Sequence, residues 1–314
     1  MNITDITEED ESRPLIEQRA DPYVYLHTDG YYYFTASTPE YDRIELRRAW
    51  SVKALRDAQP LVIWRKHASG PMSWHIWAPE LHFIDGKWYI YFAAGRAEDP
   101  WWIRTWVLEN TSPDPFCGVW EEKGILEAAW DSFMLDCTVF QNRGAYYAVW
   151  AQKREERTEN SALYIARMES PVKLSRPQTL LTFPEYDWEC RGFKVNEGPA
   201  VLQRNGKVFL TYSASATDAT YCMGLLTAEN GADLLDAASW KKSEQPVLVT
   251  DRKKGIFGPG HNSFTTSRDG KTDYLIYHAR PYAEVDLAFA LYDPNRHTWV
   301  KRIRYAADGS PIFQ

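Results

Sequence analysis

Cysteine is scarce in this chain, and the four present, Cys117, Cys137, Cys190 and Cys222, lie far apart. None has the CxxC spacing of a metal site, and a disulfide scaffold needs a denser pattern. They read as buried thiols. Long apolar runs are missing as well, so no segment has the length of a membrane-spanning helix. Basic excess is missing too: 36 Lys and Arg stand against 43 Asp and Glu, for a net charge of −7. With the basic residues scattered, nucleic acid and anionic membrane are disfavoured as partners. There is no Ser/Gly-rich linker and no low-complexity stretch to divide the chain. The segment Met1 to Glu17 is acidic and polar, without a basic region followed by an apolar one, and this predicts a cytoplasmic location. Residues 1–18 are expected to form a mobile tail, and 19–314 a single domain.

Aromatic residues are abundant: Phe, Trp and Tyr make up 15% of the chain. They suit strand faces and sugar-stacking surfaces alike. They also recur in a repeated phrase. Arg19-Ala20-Asp21-Pro22-Tyr23-Val24-Tyr25 is followed by Gly30-Tyr31-Tyr32-Tyr33-Phe34, and Trp77-Ala78-Pro79-Glu80-Leu81-His82-Phe83 by Gly86-Lys87-Trp88-Tyr89. Leu135-Asp136-Cys137-Thr138-Val139 precedes Gly144-Ala145-Tyr146-Tyr147, and Asn196-Glu197-Gly198-Pro199-Ala200 precedes Gly206-Lys207-Val208-Phe209. The last copy is Gly260-His261-Asn262-Ser263-Phe264 with Gly270 and Tyr274-Leu275-Ile276-Tyr277. Each copy is an ionisable entry residue, a short apolar run, a Gly turn and a second apolar run, which together read as a β-hairpin.

A lone hairpin cannot bury its apolar face. Hairpins repeating at roughly sixty residues predict a radial array of sheets, and the fold class is an all-β, five-bladed β-propeller. The innermost strands of a propeller line its central channel. Asp21, Glu80, Asp136, Glu197 and His261, which open the five copies, are therefore expected near one end of it. The segment Ser69 to Trp77 reads as a loop, Leu61 to Arg65 as a strand, and Leu287 to Tyr292 as the strand after Tyr277-His278-Ala279-Arg280. Trp299 to Tyr305 is expected to pair with the amino-terminal part of the chain and close the ring.

Carboxylates gathered in a channel suit glycoside hydrolysis, in which one carboxyl protonates the leaving oxygen and a second activates water or attacks. A third nearby would raise the acid's pKa by repulsion. The plainer account is that an Asp before a strand caps local backbone N–H groups. For Glu80 the plainer account is a buried structural residue paired with an Arg.

The five phrases together resemble family 43 of the glycoside hydrolases. They are Asp21-Pro22, Trp77-Ala78-Pro79-Glu80, Asp136, Glu197-Gly198-Pro199 and Gly258-Pro259-Gly260-His261-Asn262. The resemblance runs from Arg19 to about Tyr305. It implies an inverting glycosidase with Asp21 as general base, Glu197 as general acid and Asp136 as the residue that tunes and orients the acid. It implies that Arg280 bonds the terminal sugar, that Trp74 and Trp77 offer it flat faces, and that His261 lies beneath it. No cofactor is required, though some relatives hold calcium or another ion in the channel, for which His261 is the candidate ligand here. Within the family the chain looks most like exo-α-1,5-L-arabinofuranosidases, with arabinan or arabino-oligosaccharides as substrate. A β-xylosidase or endo-arabinanase on the same fold, a non-catalytic sugar-binding propeller and a scaffold for protein partners stay open at this point.

Overall fold

The computed structural model describes residues 6–154 and 157–314. Blade one contains β1 (Ala20–Leu26), β2 (Tyr32–Ser37), β3 (Arg43–Ala49) and β4 (Leu61–Arg65). Blade two contains β5 (Pro71–Ile84), β6 (Lys87–Arg96), β7 (Asp99–Asn110) and β8 (Glu121–Ile125). In blade three, β9 (Met134–Asn142), β10 (Ala145–Gln152) and β11 (Ala162–Ser170) are edged by β12 (Lys173–Leu174) and β13 (Thr179–Thr182), both pairing with β11. Blade four runs through β14 (Asn196–Arg204), β15 (Lys207–Ala214), β16 (Cys222–Glu229) and β17 (Lys241–Lys242). Blade five has β18 (Phe257–Thr266), β19 (Asp273–Arg280) and β20 (His297–Arg302). The innermost strands β1, β5, β9, β14 and β18 each touch the next around the ring, and β18 returns to β1. This is the five-bladed propeller expected from the repeat.

The turn between the first two strands of each blade explains the repeated glycine. Gly30, Gly86, Gly144, Gly206 and Gly270 have φ between 70° and 83°. In three copies the residue before is also left-handed (Asp85, Arg143 and Asn205). Two consecutive positive φ angles match the right-handed twist of the strands they join. Between the blades, large apolar side chains interdigitate: Trp88, Trp150, Tyr91, Tyr212 and Phe209 are fully buried.

Three local expectations change. The segment expected as a loop before Trp77 belongs to β5, which starts at Pro71. Met72, His75 and Ala78 are left-handed there, and the register against β6 slips beside each. Repeated bulges destroy the two-residue alternation by which a strand is read. Leu287 to Tyr292 forms a loop ending in a 3-10 turn at Ala290–Tyr292, and the third strand of blade five is β20. Ring closure comes through Thr298, which exchanges backbone hydrogen bonds with Ile16. Arg304–Tyr305 pairs instead with Pro311–Ile312.

Of the expected amino-terminal tail, residues 6–18 are packed onto the propeller, and 1–5 lie outside the described residues. Ile6, Leu15 and Ile16 join the apolar core of blades one and five. A short helix, α1 (Glu8–Glu11), buries Asp10 against Lys53, 2.9 Å away, with Arg56 beside it. Within the acidic run that reads as a solvated tail, Asp10 is thus paired with blade one and Glu11 with Arg302 of blade five at 2.7 Å.

Candidate active site

All five innermost strands carry the same distortion. From Ala20 to Tyr23, Trp77 to Glu80, Leu135 to Thr138, Glu197 to Ala200 and Gly260 to Ser263, the inner strand advances three residues while its partner advances two. The extra residue is left-handed each time: Asp21 (φ 53°), Ala78 (44°), Asp136 (54°), Gly198 (54°) and His261 (43°). A bulge re-aims the side chain it carries. Holding a non-glycine residue in this region costs about 1–3 kcal/mol and persists only where its surroundings enforce it. Asp21, Asp136 and His261 occupy the bulge itself, and Glu197 immediately precedes one.

These residues form the floor of a cavity of about 380 Å³. Trp77, Trp101, Phe133, Phe193, Leu291 and Tyr292 supply much of its wall, and Arg296 reaches the floor from the loop between β19 and β20. Every blade contributes at least one lining residue. The face of Trp77 is set by His75, stacked on it at 4.1 Å and 23°. His75 in turn has its Nδ1 3.1 Å from the Pro100 carbonyl and its Nε2 3.0 Å from the Tyr292 hydroxyl.

Asp21 sits among donors and positive charge. Its Oδ2 accepts the Ser37 hydroxyl at 2.5 Å, and its Oδ1 lies 3.2 Å from His261 Nδ1 and 3.5 Å from Arg296 Nη1. The Asp21 backbone N–H donates to His278 Nδ1 at 3.1 Å. Burial pushes the Asp21 carboxyl up, but the charges of His261 and Arg296 outweigh it and hold the group far below the usual carboxylate range. Burial pushes His278 down to about 3, so its ring is a neutral acceptor.

The other two carboxyls are shifted the opposite way. Burial, with the charges of Glu197 and Asp21, pushes Asp136 up to about 7 against the pull of His261. Its Oδ2 accepts the Gly198 N–H at 3.0 Å. Burial likewise raises Glu197, whose Oε1 accepts the Tyr221 hydroxyl at 2.7 Å. Burial lowers His261, but Asp21, Asp136 and Glu197 together outweigh it and raise the imidazole, favouring its charged form. The floor therefore separates one carboxyl held far below the usual carboxylate range from a pair raised above it. Such a division is how one site runs acid and base chemistry at a single pH.

The structure brings Asp21, Asp136, Glu197, Trp77 and His261 together, as the sequence suggested. It does not bring Trp74 or Arg280 to the cavity. Trp74 is absent from the cavity lining, with Lys66 Nζ 5.0 Å from its ring centre and the His75 ring 5.8 Å away. Arg280 is buried in a structural clamp, donating to Asp293 (2.7 Å), the Thr217 carbonyl (2.6 Å) and the Ala290 carbonyl (2.5 Å). It holds the loop that carries Leu291 and Tyr292, and Arg296 is the arginine facing the floor. Glu80 lies two residues beyond its bulge, outside the cavity lining, with its Oε2 3.0 Å from His82 Nε2. The plainer account of Glu80 holds, with a histidine in place of the expected arginine.

Sequence reading missed Arg296, Tyr221, Ser37 and His278. His278 stood in the quoted phrase two residues before Arg280, and strand alternation places both on one face. Nothing local marks Arg296.

A model of the family described as Glycosyl hydrolases family 43 matches residues 12–311. The chain is 54% identical over 302 residues to a Streptomyces avermitilis protein named extracellular exo-alpha-(1->5)-L-arabinofuranosidase, and the match covers 96% of this chain and 63% of that one. This chain thus spans less than two thirds of that relative's length. It is 56% identical over 272 residues to a Streptomyces chartreusis protein of the same name, covering 87% and 83% of the two. A crystal structure of alpha-L-arabinofuranosidase from Lactobacillus brevis superposes with a TM-score of 0.94 at 52% identity, covering 98% of each chain. Both Streptomyces relatives are named extracellular, which overturns the expected cytoplasmic location. A leader is a removable address, so the composition of Met1 to Glu17 does not decide the compartment.

Proposed function

The chain belongs to family 43 of the glycosyl hydrolases, and from that premise we propose that it is an exo-acting, inverting α-L-arabinofuranosidase that releases terminal arabinose from α-1,5-linked arabinan or arabino-oligosaccharides. The observation that carries this reading is the divided floor: in one cavity, Asp21 is held low beside His261 and Arg296, while Asp136 and Glu197 are raised. The names of the relatives support the choice of sugar.

The roles follow from the electrostatics. Asp21, kept ionised by His261 and Arg296, takes a proton from water as the water oxygen bonds to the anomeric carbon. The bond from that carbon to the leaving oxygen breaks, and the leaving oxygen takes the proton of Glu197. Burial raises the donor; Asp136 sits next to it, and the Gly198 N–H fixes the orientation of Asp136. The surrounding wall favours an exo enzyme, since a chain running through would need a cleft open at two sides.

Asp136, Glu197 and His261 offer ligand atoms within 4.8 Å of one another, which is suitable spacing for a metal ion. The donor set fits one poorly. Tyr221 and Gly198 already occupy one oxygen of each carboxyl, and the surrounding charge favours protonated His261, which cannot ligate through a protonated nitrogen. The imidazolium supplies the positive charge that an ion would bring.

The test is hydrolysis of a chromogenic α-L-arabinofuranoside beside the matching β-D-xylopyranoside, followed by product analysis on linear arabinan. Cleavage of the arabinoside with arabinose as the only early product is expected. Cleavage of the xyloside alone overturns the sugar, and early oligosaccharides overturn the exo mode.

Two exposed tryptophans give a second check. Trp101 lines the cavity and is 56% exposed, while Trp74 is outside the cavity. Trp101→Ala is expected to raise KM for arabino-oligosaccharides about 3- to 10-fold, the scale of one aromatic contact. Trp74→Ala is expected to leave it unchanged. The reverse order would return Trp74 to the substrate.

A further inference from the structure

We propose that Tyr221 is the positioning residue of the proton donor: its hydroxyl sets the orientation of Glu197 and determines which carboxyl oxygen carries the proton, while its ring seats the histidine beneath Asp21. This rests on the reading of Glu197 as the acid.

Tyr221 is 1% exposed, and its hydroxyl donates to Glu197 Oε1 at 2.7 Å. Burial, reinforced by Glu197, holds the phenol well above its ordinary range, so it is a donor throughout the working range of pH. A neutral carboxyl has one oxygen that accepts and one that carries the proton. With Oε1 accepting from Tyr221, the proton of Glu197 is on Oε2. An acid whose proton faces away from the leaving oxygen contributes nothing, so this single bond decides whether the donor is useful. The other charged groups around Glu197 are Asp136, Asp21, His261 and Arg296, and among the described residues the Tyr221 hydroxyl is the side-chain group that donates to it.

The opposite side of the same residue supports the base. The Tyr221 ring lies parallel to His278 at 5.6 Å and 6°. His278 accepts the backbone N–H of Asp21, the bulge residue, at 3.1 Å. One side chain thus touches the acid directly and the base through one intermediary.

The space that Tyr221 occupies is also encoded. A Cβ on Gly260 would lie 2.4 Å from the Tyr221 ring and 2.9 Å from Ser213 Oγ, the atom that accepts the His261 N–H. A Cβ on Gly258, where φ is +58°, would lie 2.2 Å from the Asp218 carbonyl at the turn leading into Tyr221. Gly260 is therefore explained by the tyrosine it faces, and Gly258 by its left-handed backbone and the turn that leads into that tyrosine.

Tyr221→Phe removes only the hydroxyl and keeps the ring against His278 and Gly260. The experiment measures kcat and KM for this variant on linear arabinobiose and on aryl α-L-arabinofuranosides from phenyl to 2,4-dinitrophenyl, with Glu197→Gln alongside and thermal melts for both. Good leaving groups need no proton and poor ones do. The expected result is a loss in kcat of about 10- to 100-fold on arabinobiose and the phenyl glycoside, shrinking to about 3-fold or less on the dinitrophenyl glycoside, with KM little changed. A purely structural tyrosine would lower all substrates alike. If Glu197→Gln shows the leaving-group dependence and Tyr221→Phe does not, this inference falls and the acid stands. If Glu197→Gln itself loses equally on every leaving group, the acid assignment falls first.

Discussion

Asp21→Asn is expected to lower kcat/KM by about a thousandfold on every arabinofuranoside, whatever its leaving group, because general-base activation of water is required in each case. Asparagine is the informative replacement. It tolerates the left-handed backbone that Asp21 adopts, so the bulge survives. Its carbonyl oxygen still accepts the Ser37 hydroxyl. What disappears is the negative charge 3.2 Å from His261 and 3.5 Å from Arg296. Asp21 is the foremost of the charges raising His261, so the imidazole loses its main reason to be protonated. The side-chain amide then faces the donors that the second carboxylate oxygen satisfied. Kinetics on the dinitrophenyl glycoside and on arabinobiose, with circular dichroism to confirm the fold, decide the matter. Activity within tenfold of the parent would remove Asp21 from the role of base.

The sequence made the repeating parts of this molecule legible and left the converging parts obscure. Hairpins, their left-handed glycine turns and the blade count are written locally and recur, so each copy supports the others. Asp21, Asp136, Glu197 and His261 were found because they open copies of one repeated phrase, and the structure puts each at or beside the same bulge. The same logic misplaced Glu80, since the bulge of blade two falls at Ala78 and carries no functional group. Bulges also hid the true start of β5, because they break the alternation that identifies a strand. Arg296 and Tyr221 come from positions with no repeated counterpart. Only the closing of the ring brings Arg296, at the end of a loop, to within 3.5 Å of Asp21 near the start of the chain. Arg280 was the reasonable guess from its phrase, yet carbonyl groups of two loops and Asp293 claim its guanidinium.

Glu197→Gln carries the second large effect, and it is selective where Asp21→Asn is uniform. The amide has the shape of the acid without its proton. On arabinobiose the loss is expected to be about a thousandfold, and on the dinitrophenyl glycoside about tenfold or less. The pH profile makes the assignment sharper. Asp21 lies far below the usual carboxylate range, so the base is ionised throughout and no acid limb is expected between about pH 4 and 6. Asp136, up at about 7, and the raised Glu197 titrate as a pair. A donor with a raised pKa is fully protonated below it and empties as pH rises through it. kcat/KM of the parent on substrates with poor leaving groups is therefore expected to fall on the alkaline side, above the ordinary carboxylate range. In Glu197→Gln one carboxylate charge beside Asp136 is gone, so Asp136 relaxes toward its ordinary range. No donor remains, and the alkaline limb on the phenyl glycoside should vanish. Should the limb persist unchanged in that variant, it belongs to another group. His261, also raised and also losing its proton on the alkaline side, would then be the residue whose charge the reaction needs.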